Sequence, residues 1–325
     1  MPFVLNHINL WLIKDDDGWT LIDTGLNSDK SKDYWQKIIN EQLKNKPIKH
    51  VICTHMHPDH IGLSGWLCEQ FDAQLWMSQG EYEGYQSISS EIASNTDSSV
   101  YDFYLTGGAT IKQAKLYDKY IAIYSTFVYP FPSNYKRLVN NEVIILGGHE
   151  WQIVVGSGHS PEHICLWCKA LNIIISGDQI LPTISSNISV YPKEPHANPL
   201  NNWLISCKNY LNLLNSQTLV LPAHGKPFTG VRHRLNELVS EIEENLKALA
   251  KSCETPKRII DGFEVLFHKE INQKTFMLAY GESSAHFNYL THLGIISSHA
   301  DTNNVTWHTQ TKVTTPLQPS PRRSY

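Results

Sequence analysis

The first 25 residues alternate between hydrophobic and polar positions in a way that predicts two β-strands. The two runs are NHINLWLI and WTLIDTG, and the polar segment KDDDG between them is typical of a hairpin turn. The segment after them, SDKSKDYWQKIINEQLKN, has apolar residues at the spacing of an amphipathic helix, namely Trp35, Ile38, Ile39 and Leu43. Pro47 ends this pattern, and the apolar run IKHVICT then predicts a buried strand.

Helix and strand patterns continue to alternate as far as residue 230. A helix is predicted at HIGLSGWLCEQF and a short strand at AQLWMS. Four short β-rich runs come later, separated by glycine or polar breaks: EVIILGG, WQIVVGSG, HICLWC and NIIISGD. A further helix, NNWLISCKNYLNLLNS, precedes the strand TLVLPAHG. This order predicts an α/β fold.

Two changes in composition suggest where the chain divides. Residues 80–138 hold nine of the fifteen tyrosines, and we interpret this segment as a helical insert within a domain spanning 1–230. From residue 231 the chain becomes helical and charged, which predicts a second, smaller domain over 231–309. Residues 310–325 are rich in Pro, Ser and Thr and predict an unstructured tail.

The overall composition excludes several classes of protein. The chain has 325 residues, 41% of them hydrophobic, and a net charge of -4, which excludes general disorder. No apolar run reaches the roughly 18 residues of a membrane helix, and the N-terminus does not resemble a signal peptide. The 27 basic and 31 acidic residues offer no electrostatic reason to expect nucleic acid as a partner.

The six cysteines do not form the pattern of a disulfide scaffold in a chain of this length. Cys165 and Cys168 form a CxxC pair, which is compatible with a zinc or redox site. They lie in an apolar strand-like run, however, and no second pair at metal spacing accompanies them. We therefore favour buried thiols in a reducing compartment, and expect the protein to be cytoplasmic.

The segment THMHPDH, residues 54–60, carries the clearest chemical signal. It places three imidazoles and a carboxylate within six positions, directly after a predicted buried strand. His55 and His57 are two residues apart in an extended segment and so project to the same side, after which Asp59 and His60 turn with the chain. Such a group would be unfavourable to desolvate as a simple polar cluster, whereas imidazole and carboxylate suit a cation such as Zn²⁺.

Four more candidate groups follow predicted strands elsewhere in the chain. They are Asp23 in LIDTG, His159 in GHS, Asp178 in SGD and His224 in PAHG. Each alone is typical of a cap or turn residue. Their common position just after an apolar strand indicates that they meet at one site.

The ordered set LIDTG, THMHPDH, GHS, SGD and PAHG resembles the motifs of the metallo-β-lactamase fold superfamily over residues 3–230. The resemblance implies a four-layer αββα sandwich with a site for two divalent metal ions, for which we expect Zn²⁺, with Fe or Mn²⁺ as alternatives. It also implies that Asp23 orients a histidine ligand. The implied ligands are His55, His57 and His159 for one ion, Asp59, His60 and His224 for the other, and Asp178 as the bridge.

The same resemblance indicates which functional group of the superfamily this chain is similar to. Class B β-lactamases typically lack the bridging aspartate at the position of Asp178, and a di-iron oxygen-reducing branch would place a carboxylate at the position of His57. The remaining group resembles glyoxalase II and includes thioesterases, lactonases and phosphodiesterases. The stretch GESSAHFNYLTHLG resembles a winged-helix-like appendage of one such subgroup. Since the helix over 282–293 carries no arginine or lysine, we interpret it as a packing module rather than a nucleic-acid reader.

These features predict a dinuclear hydrolase whose bridging hydroxide attacks a small-molecule thioester or related activated ester. Asp59 would orient the hydroxide and move its proton. Lactonase and RNA or DNA phosphodiesterase activities remain alternatives, and β-lactamase activity is less expected. No clear basic cluster for the carboxylates of glutathione follows His224; Lys251, Lys257 and Arg258 are candidates by charge alone.

The tyrosine-rich insert has two possible roles. It is either a lid that lines an apolar acyl pocket or a helical segment that packs on the sandwich. We expect Tyr101, Tyr104 and Tyr120 to face such a pocket. His163 lies close in sequence to His159 and is expected beside the site, whereas His196 and His286 are interpreted as ordinary loop and helix residues.

Overall fold

A computed structural model describes residues 7–43, 46–94 and 97–311 of the chain. Gln310 still belongs to the last strand, and the rest of the predicted tail, 312–325, lies outside the described residues. Among the described residues, no helix is long and apolar enough to cross a membrane.

The strands form two five-stranded sheets and one small hairpin. In the first sheet β1 to β5 lie in chain order, with β1 and β2 antiparallel and the other neighbours parallel. Its strands are β1 (Trp11–Lys14), β2 (Trp19–Ile22), β3 (Ile48–Ile52), β4 (Gln74–Met77) and β5 (Lys136–Arg137). The second sheet has the order β10-β9-β8-β7-β6, with only β10 and β9 parallel. Its strands are β6 (Val143–Leu146), β7 (His149–Gly156), β8 (His163–Cys168), β9 (Ile173–Gly177) and β10 (Leu219–Pro222). The hairpin pairs β11 (Ile296–Ala300) with β12 (Thr306–Gln310).

The two sheets pack face to face, and helices cover their outer faces. The inner core joins Ile22 and Ile52 of the first sheet to Ile153 and Leu166 of the second. The first sheet is covered by α1 (Asp29–Glu41) and α3 (Ser64–Phe71), and the second by α8 (Pro199–Leu213) and α9 (Val231–Ser252). This arrangement confirms the predicted αββα sandwich.

The helix predicted at HIGLSGWLCEQF is interrupted. It forms α2 (Pro58–Ile61) and then α3, with a break at Gly62 and Leu63. The Leu63 N–H donates to the Thr24 hydroxyl and to the Gly25 carbonyl, each at 3.1 Å, instead of continuing a helical ladder. A side chain at Gly62 would lie 2.5 Å from the Gly25 carbonyl oxygen, so only glycine permits this contact with the loop after β2.

The tyrosine-rich segment is helical, as its pattern predicts. It contains α4 (Gln79–Ser94), α5 (Ser98–Thr106), α6 (Ile111–Ala114) and α7 (Leu116–Phe127). After α9, the C-terminal part continues with a 3-10 turn at Ile259–Gly262, then α10 (Phe263–Leu266), α11 (Phe276–His292) and the hairpin. The side chains of α11 that join the adjoining core include Phe276, Tyr280 and Phe287.

The strand ends determine where the functional side chains meet. Strands β2, β3, β7, β9 and β10 all end at the same edge of the sandwich, and the loops that leave them carry the candidate residues. The sequence distance between those loops is therefore unrelated to their distance in space.

We predict that Gly65→Ala destabilises the protein by about 1–3 kcal/mol. A Cβ at this position would lie 1.9 Å from the Pro130 carbonyl oxygen, so α3 and the segment after α7 must separate. Urea unfolding monitored by circular dichroism measures the change. Gln70→Ala, at an exposed position of the same helix, is the matched control and should stay within about 0.5 kcal/mol of the wild type. Equal stability of the two variants would contradict this account of the contact.

Candidate metal centre

The segment after β3 brings the first candidate side chains together at the edge of the sandwich. His55 is fully buried, and its Nε2 lies 2.9 Å from Nδ1 of His57. His159, in the loop after β7, places its Nε2 3.3 Å from the same atom of His55. Asp178, after β9, lies with its Oδ2 3.6 Å from Nε2 of His159. Together these four side chains offer ligand atoms that all lie within 4.8 Å of one another.

A second group of three side chains lies directly beside the first. His60 and His224 direct Nε2 towards Asp59, at 3.8 Å and 3.4 Å from its Oδ2. Asp178 also reaches this group, because its Oδ2 lies 3.6 Å from His60 and its Oδ1 lies 3.4 Å from His224. Asp178 is therefore the carboxylate that adjoins both groups.

The donor atoms and their spacing fit a pair of divalent cations. Two ligands held about 2.1 Å from a tetrahedral zinc ion are about 3.4 Å apart, close to the separations measured here. Moreover, His60 Nε2, His224 Nε2 and Asp178 Oδ1 are buried and have no hydrogen-bond partner among the described residues. Buried polar atoms normally have partners, so atoms left without one at the centre of such a group are explained by a cation that they would hold.

Asp23 holds His60 of the second group through a hydrogen bond. Its Oδ2 accepts a hydrogen bond from Nδ1 of His60 at 2.8 Å, and its Oδ1 accepts one from the Thr54 N–H at 2.7 Å. The backbone at Asp23 has a φ of 60°, an uncommon conformation for a residue with a side chain. These hydrogen bonds hold the strained loop in place and keep Nε2 of His60 directed at the carboxylates.

Backbone groups orient the other ligands in the same way. Nδ1 of His159 donates to the Asn187 carbonyl, and Nδ1 of His224 donates to the His7 carbonyl, both at 2.8 Å. His163 lies buried beneath the group, as its position in GHSPEH suggests, and its Nε2 accepts the Asp178 N–H at 3.1 Å. The imidazoles of His60, His159 and His224 are therefore each held in one orientation.

The electrostatics of the two groups differ. Burial lowers the pKa of His57 to about 3, with the neighbouring His159 acting in the same direction, so this imidazole is neutral and its lone pair is available. Burial alone would lower the pKa of His224, but the negative carboxylates of Asp178 and Asp59, each 3.4 Å from its Nε2, raise it to about 9. The two carboxylates thus favour positive charge at the place where they meet the imidazoles.

Glu81 of α4 is a buried residue that sequence reasoning missed. Its two carboxylate oxygens accept the Met56 N–H at 3.0 Å and the Glu162 N–H at 2.8 Å. It therefore links the loop that carries His55 and His57 to the loop that carries His159. No motif marks Glu81, and only its position in the first turn of a helix after a strand could have suggested a role.

A cavity of about 430 Å³ opens beside the first group. His159 and Met56 contribute to its lining, together with the four tyrosines Tyr117, Tyr120, Tyr124 and Tyr191. Of the tyrosines expected to face a pocket, Tyr120 lines this cavity. Tyr104 instead packs in the core, 4.8 Å from the Tyr280 ring, and Tyr101 donates to Asp118, so the expectation for these two is wrong.

The cysteines take no part in the site. All six are free and buried, as expected for structural thiols. Neither group of potential metal ligands found among the described residues includes Cys165 or Cys168.

Comparison with known proteins agrees with this geometry. Residues 4–224 match the family described as Metallo-beta-lactamase superfamily, and residues 246–311 match the family described as Metallo-beta-lactamase-like, C-terminal domain. The chain is 24% identical to "Probable metallo-hydrolase YqjP" of Bacillus subtilis, over 95% of both proteins.

Two solved structures are similar over nearly the whole chain. A beta-lactamase domain protein from Burkholderia ambifaria is 35% identical, with a TM-score of 0.86 and coverage of 96% of this chain and 90% of that one. A metallo-beta-lactamase family protein from Thermus thermophilus is 22% identical, covers 96% of both chains with a TM-score of 0.79, and supports the fold. The matched family spans well over half of the sequence and the site lies within it; the chain belongs to the metallo-beta-lactamase superfamily.

Proposed function

We propose that this protein is a dinuclear metal-dependent hydrolase that cleaves a thioester or a related activated ester of a small molecule. The observation that carries the proposal is the pair of ligand groups that share Asp178 and that adjoin, through His159, a cavity lined in part by tyrosines. A substrate that fills the cavity would therefore contact a ligand of the first group.

His55, His57 and His159 would hold one ion, and Asp59, His60 and His224 the other, with Asp178 bridging them. When bound, two divalent ions supply Lewis acidity and activate a water molecule near neutral pH. We favour Zn²⁺ because imidazole and carboxylate ligands suit it, and Fe or Mn²⁺ would fit the same residues.

Asp59 is our candidate for moving the proton of the attacking water. Its side chain is 14% exposed, compared with 11% for Asp178 and 0% for His60. It lies beside His60 and His224, which limit its rotation, and a carboxylate held in this way can both orient a water molecule and accept its proton. Asp23 acts indirectly, because it holds His60.

The cavity supports an acyl group as the part of the substrate that is recognised. A volume of about 430 Å³ lies within the range of small-molecule sites. Tyr117, Tyr120 and Tyr124 contribute aromatic surface, and Lys193, the only lysine or arginine among the described residues that line the cavity, lies 3.0 Å from Glu91. A neutral or apolar group therefore suits this space better than an anionic one.

We place the protein with the glyoxalase-II-like branch and treat lactones and phosphodiesters as alternative substrates. Glutathione recognition has little support. Arg258 forms an ion pair with Asp261 at 2.8 Å. The described cavity is not lined by Lys251, Lys257 or Arg258. Nucleic acid as a substrate would need a basic track, for which a net charge of -4 gives no support. We also propose that 1–230 is the catalytic domain and that the appended domain runs from 231 to the end of β12.

The test of the proposed function is a hydrolysis screen with purified protein over acyl thioesters, lactones, β-lactams and RNA, together with metal analysis. We expect close to two ions per chain and the highest kcat/KM for a thioester with an apolar acyl group. His55→Ala should abolish that activity. Efficient RNA cleavage that falls steeply with salt and is lost in His55→Ala would overturn the choice of substrate.

We predict that Asp178→Asn reduces the metal content from about two ions to about one and lowers kcat by roughly two orders of magnitude or more. A neutral amide cannot offset the repulsion between two dications as a carboxylate does. Metal analysis and steady-state kinetics measure both effects. Asp102→Asn, at an exposed carboxylate of α5, is the control and should change neither. Full activity and unchanged metal content in Asp178→Asn would refute a bridging role.

We predict that Tyr120→Ala raises KM for an apolar acyl thioester about tenfold, because the cavity loses one aromatic wall. Metal content should not change, since Tyr120 belongs to neither ligand group. Tyr34→Ala, which removes a tyrosine that is 59% exposed on α1, is the matched control. If Tyr120→Ala loses metal, or leaves the whole substrate panel unaltered, the insert packs on the sandwich and does not select the substrate.

A further inference from the structure

The orientation of His159 depends on a segment that no regular secondary structure holds. Its Nδ1 donates to the carbonyl oxygen of Asn187 at 2.8 Å, which leaves Nε2 free to face the ligand group. Asn187 lies in the stretch between β9 and α8, where the described chain forms neither helix nor strand. The position of this carbonyl must therefore be set by other contacts.

Those contacts come largely from helix α11 in the C-terminal part of the chain. The Asn187 side-chain amide donates through Nδ2 to Oε2 of Glu282 at 2.8 Å. At its other end, Oδ1 of Asn187 accepts the Ser189 hydroxyl at 2.5 Å. The Asn187 side chain is thus held at both ends. Outside its own segment, Nδ2 has two acceptors on α11, the Glu282 carboxylate at 2.8 Å and, more weakly, the Leu278 carbonyl at 3.4 Å.

The backbone of α11 approaches the same segment closely. The Val190 N–H donates to the Gly281 carbonyl at 3.0 Å. A Cβ at Gly281 would lie 2.6 Å from Oγ of Ser189, so the contact requires a residue without a side chain. Gly281 and Glu282 therefore form one surface that receives the segment 187–190.

We propose that Glu282 is a positioning residue for the metal ligand His159 and acts through Asn187. The inference rests on the proposed metal site and deepens it by giving the C-terminal part a role in forming that site. Glu282 holds the Asn187 side chain, and the Asn187 carbonyl holds Nδ1 of His159. Nε2 of His159 faces His55, with which it would hold one of the two ions. Loss of the Glu282 carboxylate would let the Asn187 carbonyl move. The affinity for the ion held by His159 would then fall, while the affinity for the other ion would not.

Glu282→Ala and Glu282→Gln in the full chain provide the first test. Metal affinity is measured by competition with a chelator, and ligand geometry by the visible spectrum of the Co²⁺-substituted protein. We expect Glu282→Ala to lower the affinity for one of the two ions about 10–100-fold, as is typical when a group that supports a ligand is removed. The visible spectrum of Co²⁺ at that site should change as well. Glu282→Gln should restore both, because its amide oxygen can still accept from Nδ2 of Asn187.

Asn288→Ala is the matched control on the same helix. The Asn288 amide donates to the carbonyls of Pro195 and Ala197, each at 2.9 Å, so it anchors a neighbouring part of the same connection without touching Asn187. Both metal affinities should stay within about twofold of the wild type, the small change expected when no ligand support is lost. An equal loss in Asn288→Ala would mean that α11 anchors the connection in general, and would overturn a specific role for Glu282.

A double-mutant cycle gives a second test that does not depend on one variant folding well. Asn187→Ala keeps the carbonyl but removes the amide that contacts Glu282, Leu278 and Ser189, so it should lose at least as much metal affinity as Glu282→Ala. The double variant should bind metal no more weakly than Asn187→Ala alone, because the link to Glu282 is already absent there. Additive losses, or unchanged affinities and an unchanged Co²⁺ spectrum in both single variants, would refute the proposal.

The same measurements separate this inference from the proposed function. If the wild-type protein binds no metal, the proposed metal site fails and the inference fails with it. If the wild type binds two ions and hydrolyses thioesters while Glu282→Ala behaves like the wild type, only the positioning role is refuted.

Discussion

The unfavourable burial of five imidazoles and two carboxylates at one edge of the sandwich is the constraint on which the rest of this structure depends. Nitrogen atoms of His55 and His57 approach to 2.9 Å, and Asp59 and Asp178 flank the same nitrogen of His224. Without a cation, such a group combines desolvated carboxylates with lone pairs that face one another. Divalent ions held between these side chains would make the arrangement stable, and the two-sheet core supplies the strand ends that keep the side chains in place.

The ligands are supported from several separate parts of the chain. Asp23 holds His60, the His7 carbonyl holds His224, and the Asn187 carbonyl holds His159. These supports come from the loop after β2, from the segment before β1 and from the connection between β9 and α8. A change far from the site in sequence can therefore alter the site, because each support depends on packing elsewhere.

The tyrosine-rich insert both packs on the rest of the fold and lines the cavity. Tyr120 lines the cavity, whereas Tyr104 packs against Tyr280 of α11 and joins the insert to the C-terminal part. Tyr117 and Tyr124 are buried and also contribute to the cavity wall. Because a tyrosine ring has both a large apolar surface and a polar end, one helix can use such residues for packing and for lining a pocket at once.

The sequence by itself determined the alternation of helices and strands, the strand ends and the clustering within residues 54–60, because these follow from apolar periodicity and from short-range spacing such as that of His55 and His57. It also placed Asp23 at the end of a strand, beside the other motifs. The four-layer sandwich was implied by the resemblance of the motifs to the metallo-β-lactamase fold superfamily. Only the tertiary structure decided which tyrosines face the cavity and that Glu81 and Glu282 hold loops around the site. Contacts of this kind join residues 81 to 95 positions apart, as in Glu81 with Glu162 and Asn187 with Glu282, and depend on how helices dock on the sheets. No local pattern encodes such docking, since a single carboxylate on a helix has the same appearance in the sequence whether it faces solvent or a buried amide.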